Sequence, residues 1–279
     1  MESVSTSEPM FDRYLKQWGL TIDGEAFVSP NGNLLPVRRG DTLAMLKVSQ
    51  APEEQAGSQL MAWWAGDGAA PVLAHAGEAL LMKRAQGSAS LAQMVADGRD
   101  DEATRILCAV ATRLHVPRST PRPALVPLEQ WFDALWSAAA TYGGVLEHSA
   151  KAARALFATP QDAAVLHGDI HHGNVLDFGP AGWLAIDPKG LYGERGFDFA
   201  NILCNPDEAS AQAPGRLSRH IAIISRAAGI ERHRLLQWVL AWAGLSATWM
   251  IEDGAEPEGR LALARLAASA LNGSARGSD

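Results

Sequence analysis

His167 to Asn174 read HGDIHHGN. Three histidines, an aspartate and an asparagine at this spacing admit three chemistries. The first is a metal cage, since histidine and aspartate are zinc ligands. The order H-x-D-x-H-H differs from the H-E-x-x-H pattern, and no helical period puts His167, His171 and His172 on one face. The second is a polar loop whose histidines only satisfy backbone groups. The third is phosphoryl transfer. Asp169 precedes Asn174 with four residues between, and a strand, a tight turn and a second strand then end in Asp187. Phosphoryl transfer needs a carboxylate to accept the proton of an attacking hydroxyl. It also needs an amide oxygen and a second carboxylate to hold magnesium on nucleotide phosphates. On this reading Asp169 is the base, and Asn174 and Asp187 are the magnesium ligands.

Other elements must bring a cation to those phosphates. Lys47 lies in LAMLKVS, whose apolar flanks mark a mostly buried strand. A buried lysine needs a partner, and the following PEEQAGSQLMAWWAG reads as a helix with Pro52 at its start and Gly66 at its stop. Glu53 and Glu54 open that helix, and Glu54 is favoured because it lies one turn before the apolar face at Leu60. Before Lys47, PMFDRYLKQWGL reads as a helix stopped by Gly19. EAFVS and NLLPVRR are strands separated from each other and from Lys47's strand by PNG and RGD turns. PVLAH and EALLMKR complete an expected antiparallel sheet of five strands.

After about Arg84 the pattern becomes helical, interrupted by the proline-rich VPRSTPRPALVP and by the short strands AVLH, NVLDF and GWLAID around the loop. The remainder is expected to be mostly helical, ending in a frayed polar tail, NGSARGSD. The fold class is therefore α+β and bilobal. A small antiparallel lobe, residues 1–84, precedes a larger, mostly helical lobe, residues 85–279.

Composition narrows the function. The chain has 279 residues, 47% apolar, with a formal net charge of -7. That charge argues against nucleic acid as a partner. Cys108 and Cys204 form no CxxC pair, so neither a disulfide framework nor a zinc ribbon is expected. The N-terminus lacks a signal-peptide pattern, so a cytoplasmic location is expected. Leu235–Ile251 carries no charge, but its polar residues and length favour a core helix over a membrane span. No G-x-x-x-x-G-K-[ST] occurs, which disfavours P-loop chemistry.

LHGDIHHGNVL followed by WLAIDPKGLYGERGFDFAN resembles the aminoglycoside phosphotransferase branch of the protein-kinase-like fold. It is most similar to the streptomycin 6-kinase and hydroxyurea kinase family of antibiotic-resistance enzymes. The resemblance implies ATP and Mg2+ as cofactors, Asp169 as catalytic base, Asn174 and Asp187 as metal ligands, and Lys47 as the phosphate lysine. It implies that LLMKRAQG is the hinge, where the backbone of Lys83 and Ala85 meets adenine. It also implies that Asp198 braces the catalytic loop. The phosphate-covering turn is SPNGN, with Ser29 and Asn31 as its polar groups and one glycine in place of G-x-G-x-x-G. The lysine-to-glutamate interval is short. Pro188 follows Asp187 where regulated kinases carry Phe-Gly, which points to a small-molecule enzyme that stays assembled.

The family phosphorylates hydroxyls of aminoglycosides or of small molecules such as hydroxyurea. A cationic aminoglycoside would call for carboxylates, and the helical lobe offers Asp207 with Glu208 and Glu252 with Asp253. Each could equally be a solvated helix end. Trp238, Trp242 and Trp249 at helical spacing are expected in the core. A kinase of another small alcohol or sugar, an inactive nucleotide-binding protein and a histidine-metal hydrolase remain the alternatives. The substrate is expected to be a small molecule, with no membrane partner.

Overall fold

A computed structural model describes residues 8–29 and 32–275. The N-terminal part contains α1 (Glu8–Trp18), β1 (Thr21–Ile22), β2 (Phe27–Ser29), β3 (Gly32–Arg39), β4 (Thr42–Val48), α2 (Pro52–Trp64), β5 (Val72–Ala76) and β6 (Ala79–Lys83). The strands form one antiparallel sheet in the order β1-β3-β4-β6-β5, with β2 also on β3. This adds a sixth strand to the expected five, because β1 is too short to leave a periodic signal. Tight reversals are made by Gly40 and Gly77, both at positive φ.

Strand alternation decides which way Lys47 faces. Ala44, Leu46 and Val48 of β4 pack with Val37, Phe11 and Tyr14 under α1. Successive strand residues point to opposite faces, so Met45 and Lys47 turn to the other face. Register fixes the depth of Lys47, opposite Leu34 on β3 and Leu80 on β6. α2 begins four residues after β4, with Pro52 at its first turn. It ends one residue before the expected stop: Ala65 caps it in the left-handed conformation at φ +51.

The C-terminal part contains α3 (Leu91–Ala96), α4 (Asp100–Leu114), β7 (Val126–Pro127), α5 (Leu128–Trp131), α6 (Asp133–Tyr142), α7 (Val145–Ala158), β8 (Ala163–Leu166), β9 (Val175–Asp177), β10 (Trp183–Ala185), β11 (Leu191–Glu194), α8 (Gly196–Ile202), α9 (Glu208–Ala211), α10 (Arg216–Ala228), α11 (Arg232–Glu252) and α12 (Glu258–Ala275). β11 lies in a stretch expected to be mostly helical and assigned no strand, pairing antiparallel with β8 and parallel with β7. Gly193 interrupts its side-chain pattern because a Cβ there would lie 2.5 Å from Leu128 Cβ. α12 runs to Ala275, so Asn272–Ala275 of the expected frayed tail are helical, and residues 276–279 lie outside the described residues.

α11 is apolar on nearly every side because other helices surround it. Leu235, Val239, Ala243 and Ala247 are fully buried. Trp238 and Trp242 are buried and Trp249 packs against the same core. The Trp238 indole donates to Glu194 Oε1 at 2.7 Å, which satisfies its one polar atom. Among the described residues no helix is long and apolar enough to cross a membrane. Cys108 and Cys204 are buried and free, and burial pushes each thiol up to about 12.

Candidate active site

β8 delivers the chain to the HGDIHHGN loop, and α8 holds the loop from beneath. Asp198 on α8 is fully buried. Its carboxylate accepts from the amides of His167 at 2.9 Å and Gly168 at 2.7 Å, and lies 2.7 Å from His115 Nε2. Burial alone would raise the pKa of this carboxyl. The hydrogen bond and charge of His115 and the Gly168 amide outweigh burial and hold it below the usual carboxylate range. Asp198 therefore sits where the sequence expected a brace.

The three histidines of the loop serve different partners. His167 Nε2 donates to the Ile186 carbonyl at 2.8 Å, and its Nδ1 accepts from the Asp169 amide at 3.2 Å. That division requires a neutral ring, and burial lowers its pKa accordingly. His171 Nδ1 accepts from the Gly173 amide at 3.0 Å, while its Nε2 lies 3.7 Å from Asp169 Oδ2. His172 is buried, and neither ring nitrogen has a hydrogen-bond partner among the described residues. Burial and the Arg216 charge push its pKa down to about 4. Among the described residues no three His, Cys, Asp or Glu side chains converge as a metal-binding group.

Asp169 is aimed by two amides. Asn174 Nδ2 donates to Asp169 Oδ2 at 3.1 Å and to its backbone carbonyl at 3.0 Å. Asn201 Nδ2 donates to Oδ1 at 2.9 Å. Asn205 Nδ2 in turn donates to Asn201 Oδ1 at 2.9 Å, which fixes the flip of that amide. Asn201 lies in GFDFAN, three residues after Asp198 and so on the same helical face. The sequence reading singled out Asp198 there and missed Asn201; the i, i+3 spacing was the available signal.

The β9–β10 hairpin returns Asp187 to the loop. Val175 pairs with Ala185, and the Ile186 amide donates to the Asn174 carbonyl at 2.9 Å. Asp187 is held at φ +66, a conformation costly for a residue other than glycine. Its carboxylate meets Lys47 Nζ, which also meets Glu54 Oε2. Glu54 is buried and Glu53 exposed, so the structure selects between the two. The short interval suffices because α2 starts so soon after β4. Glu54 Oε1 takes a second cation, Lys189 Nζ at 2.7 Å, which sequence reasoning missed. Burial disfavours the charged lysine, but the hydrogen bond to Glu54 and the charges of Asp187, Glu54 and Asp169 raise its pKa.

A cleft of about 570 Å³ opens between sheet and helical part. Met45, Leu176, Phe178 and Ile186 line it with apolar surface, and Lys47, Asn174 and Asp187 also face it. Lys83 and Ala85 are on its wall, as is Ser29. The Lys83 amide donates to the Pro71 carbonyl at 2.9 Å. Pro71 has no N–H to return, so it leaves the Lys83 carbonyl without a donor from that strand. Among the described residues the Ala85 amide has no hydrogen-bond partner. A carbonyl and an amide two residues apart can serve a purine edge. The Ser29 hydroxyl donates to the Gly32 carbonyl at 3.1 Å, and Asn31 lies outside the described residues. Asn174 Oδ1 and the Asp187 carboxylate are hard oxygens, a donor set suited to magnesium, which keeps several waters.

The four candidate substrate carboxylates have other neighbours. Asp207 caps α9, accepting from Ser210 N at 2.8 Å and Ser210 Oγ at 2.9 Å. Glu208 is exposed and its carboxyl lies against Gly259 of α12. Glu252 and Asp253 are exposed at the end of α11. No hydrogen bond or ion pair among the described residues joins any of the four to the Asp169 loop.

Comparison with known proteins places this geometry. Residues 17–254 match the model of the aminoglycoside/hydroxyurea antibiotic resistance kinase family. The streptomycin 3''-kinase of Klebsiella pneumoniae is 52% identical over 245 residues, covering 86% of this chain and 92% of that protein. The streptomycin 6-kinase of Streptomyces griseus is 34% identical, covering 87% of this chain and 82% of that one. A choline/ethanolamine kinase family protein from Mesorhizobium loti shares the fold with a TM-score of 0.65 at 17% identity, covering 92% of this chain and 94% of that chain. The fold is α+β, bilobal and protein-kinase-like, with an antiparallel sheet followed by a helical part. The chain belongs to the aminoglycoside/hydroxyurea antibiotic resistance kinase family, whose chemistry is phosphoryl transfer to a hydroxyl acceptor.

Proposed function

We propose that this chain transfers the γ-phosphoryl group of ATP, with Mg2+, to a hydroxyl of streptomycin, and that the 3''-hydroxyl is the acceptor. The observation that carries the reading is the orientation of Asp169. Two amides, from Asn174 and Asn201, hold its carboxylate beside the hairpin that returns Asp187 to Lys47. The preference for the 3'' position rests on the 52% identity to the 3''-kinase, against 34% to the 6-kinase.

Asp169 accepts the proton of the acceptor hydroxyl as its oxygen bonds to phosphorus and the bond to ADP breaks. Lys47 neutralises phosphate oxygens, and Glu54 holds Lys47. Asn174 and Asp187 would hold magnesium, which supplies charge neutralisation between the phosphates. The Lys83 carbonyl and the Ala85 amide orient adenine, and Ser29 on the cleft wall borders the nucleotide. Residues 1–84 form the nucleotide lobe and residues 85–279 the catalytic and acceptor lobe. Asp207, Glu208, Glu252 and Asp253 attract a cationic acceptor at longer range rather than by contact with the reacting centre. A cytoplasmic location, where ATP is available, suits this chemistry.

The test is an acceptor screen with labelled ATP over streptomycin, hydroxyurea and simple sugars, with the product located by NMR. Phosphate on the streptomycin 3'' oxygen is expected. Transfer to hydroxyurea or a sugar but not to streptomycin would overturn the assignment.

A further inference from the structure

Glu54 holds two lysines where a phosphate site needs one. The carboxylate is 4% exposed, and each oxygen has its own cation, Lys47 on Oε2 and Lys189 on Oε1. Lys47 has a second claimant in Asp187 and, on the reading above, a third in the nucleotide phosphates. Lys189 has no such duty. It stands on the loop after Asp187, with its side chain 14% exposed.

Backbone packing adds an independent observation. A Cβ on Gly57 of α2 would fall 2.0 Å from the Pro188 carbonyl oxygen, and one on Gly190 would fall 3.2 Å from Ala56 Cβ. Residues 187–190 therefore lie directly on the first two turns of α2, where Glu54 projects. The contact between helix and loop is as close as backbone allows, and the Lys189–Glu54 pair closes it. If Lys47 alone held Glu54, drawing Lys47 toward phosphate would leave a buried carboxylate underpaired, which is costly.

We propose that Lys189 is a positioning residue that ties Glu54, and with it α2, to the Asp187 loop, so that Lys47 stays aimed before nucleotide arrives. The aromatic switch that Phe-Gly would supply after Asp187 is replaced here by Pro188 and a fixed ion pair. The proposal rests on the phosphotransferase reading of the same site, but its structural half stands without nucleotide.

The experiment compares the parent with Lys189→Met, Lys189→Arg, Glu54→Gln and the Lys189→Met/Glu54→Gln double variant. Amide hydrogen exchange of residues 52–64 is measured in the nucleotide-free protein, and kcat and KM for MgATP are measured with streptomycin. Lys189→Met is expected to speed exchange in α2 and to raise KM for MgATP about tenfold, with a smaller change in kcat. Lys189→Arg should restore most of both, and Lys189→Met should add little once Glu54 is Gln. Unchanged α2 exchange and KM in Lys189→Met would overturn the proposal. So would an effect of undiminished size in the Glu54→Gln background. Should Lys189→Met fail to fold, Glu54→Gln alone must speed α2 exchange, and normal exchange there would equally overturn it. A parent that phosphorylates no acceptor would defeat the functional reading, while the exchange data would still decide the role of Lys189.

Discussion

Replacing Asn201 by alanine should slow catalysis without weakening nucleotide binding. Asn201 Nδ2 is 2.9 Å from Asp169 Oδ1, and the side chain is buried at 2% exposure. A hydrogen bond to a charged group contributes about 1.5–3 kcal/mol. If that orientation matters chiefly when Asp169 takes the proton, kcat falls about 10- to 100-fold. KM for MgATP should stay within about twofold, since Asn201 is not on the nucleotide cleft. Asn201→Asp makes a sharper test. Two carboxylates at hydrogen-bond distance raise one pKa. The acid limb of the kcat profile should therefore move upward by about one unit or more. ADP release coupled to NADH oxidation gives the rates, and thermal melting confirms folding. A folded Asn201→Ala protein with kcat within about threefold of the parent would refute the claim that this amide aims the base.

Three further outcomes follow from packing and charge. Gly57→Ala puts a methyl 2.0 Å from the Pro188 carbonyl oxygen, so α2 must shift; stability should drop by about 1–3 kcal/mol, and an unchanged denaturation midpoint would contradict this. His172, with a pKa near 4 when folded and about 6.5 when unfolded, binds fewer protons folded than unfolded between those values. Stability is therefore lost as pH falls through that window, by at most about 3 kcal/mol. His172→Leu should flatten the dependence of the urea midpoint, and an equal loss in that variant would refute the assignment. Charge removal at Asp207 with Glu208, or at Glu252 with Asp253, should raise KM for streptomycin at low salt and mimic added salt, which screens exposed charges. A KM indifferent to both double variants and to salt would remove these carboxylates from acceptor binding.

Sequence spacing made visible what local chain geometry controls. Asp169, Asn174 and Asp187 lie within one strand-loop-hairpin segment, so counting residues brings them together. Lys47 was legible because apolar flanks mark a buried strand, and alternation then sets its face. Asp198 was found through family resemblance, whereas Asn201, three residues later, needed the helix face to be drawn. Lys189 and Glu54 are 135 residues apart, and only tertiary packing joins them. β1 and β11 escaped for a different reason. Two residues show no alternation, and the Gly193 that β11 needs against Leu128 removes its pattern. The acidic pairs show what composition leaves open: it makes Asp207 a ligand candidate, and packing adds that both its oxygens cap α9 through Ser210.

The central claim is that Asp169 is the base that takes the proton from a streptomycin hydroxyl. The most direct measurement is single-turnover phosphate transfer from labelled ATP to streptomycin by the parent and by Asp169→Asn, with MgATP affinity measured on both. The substitution keeps the shape and removes the proton acceptor. The account predicts a loss of about 10²–10⁴ in transfer rate with MgATP affinity nearly unchanged. Transfer by Asp169→Asn within a few-fold of the parent would contradict it.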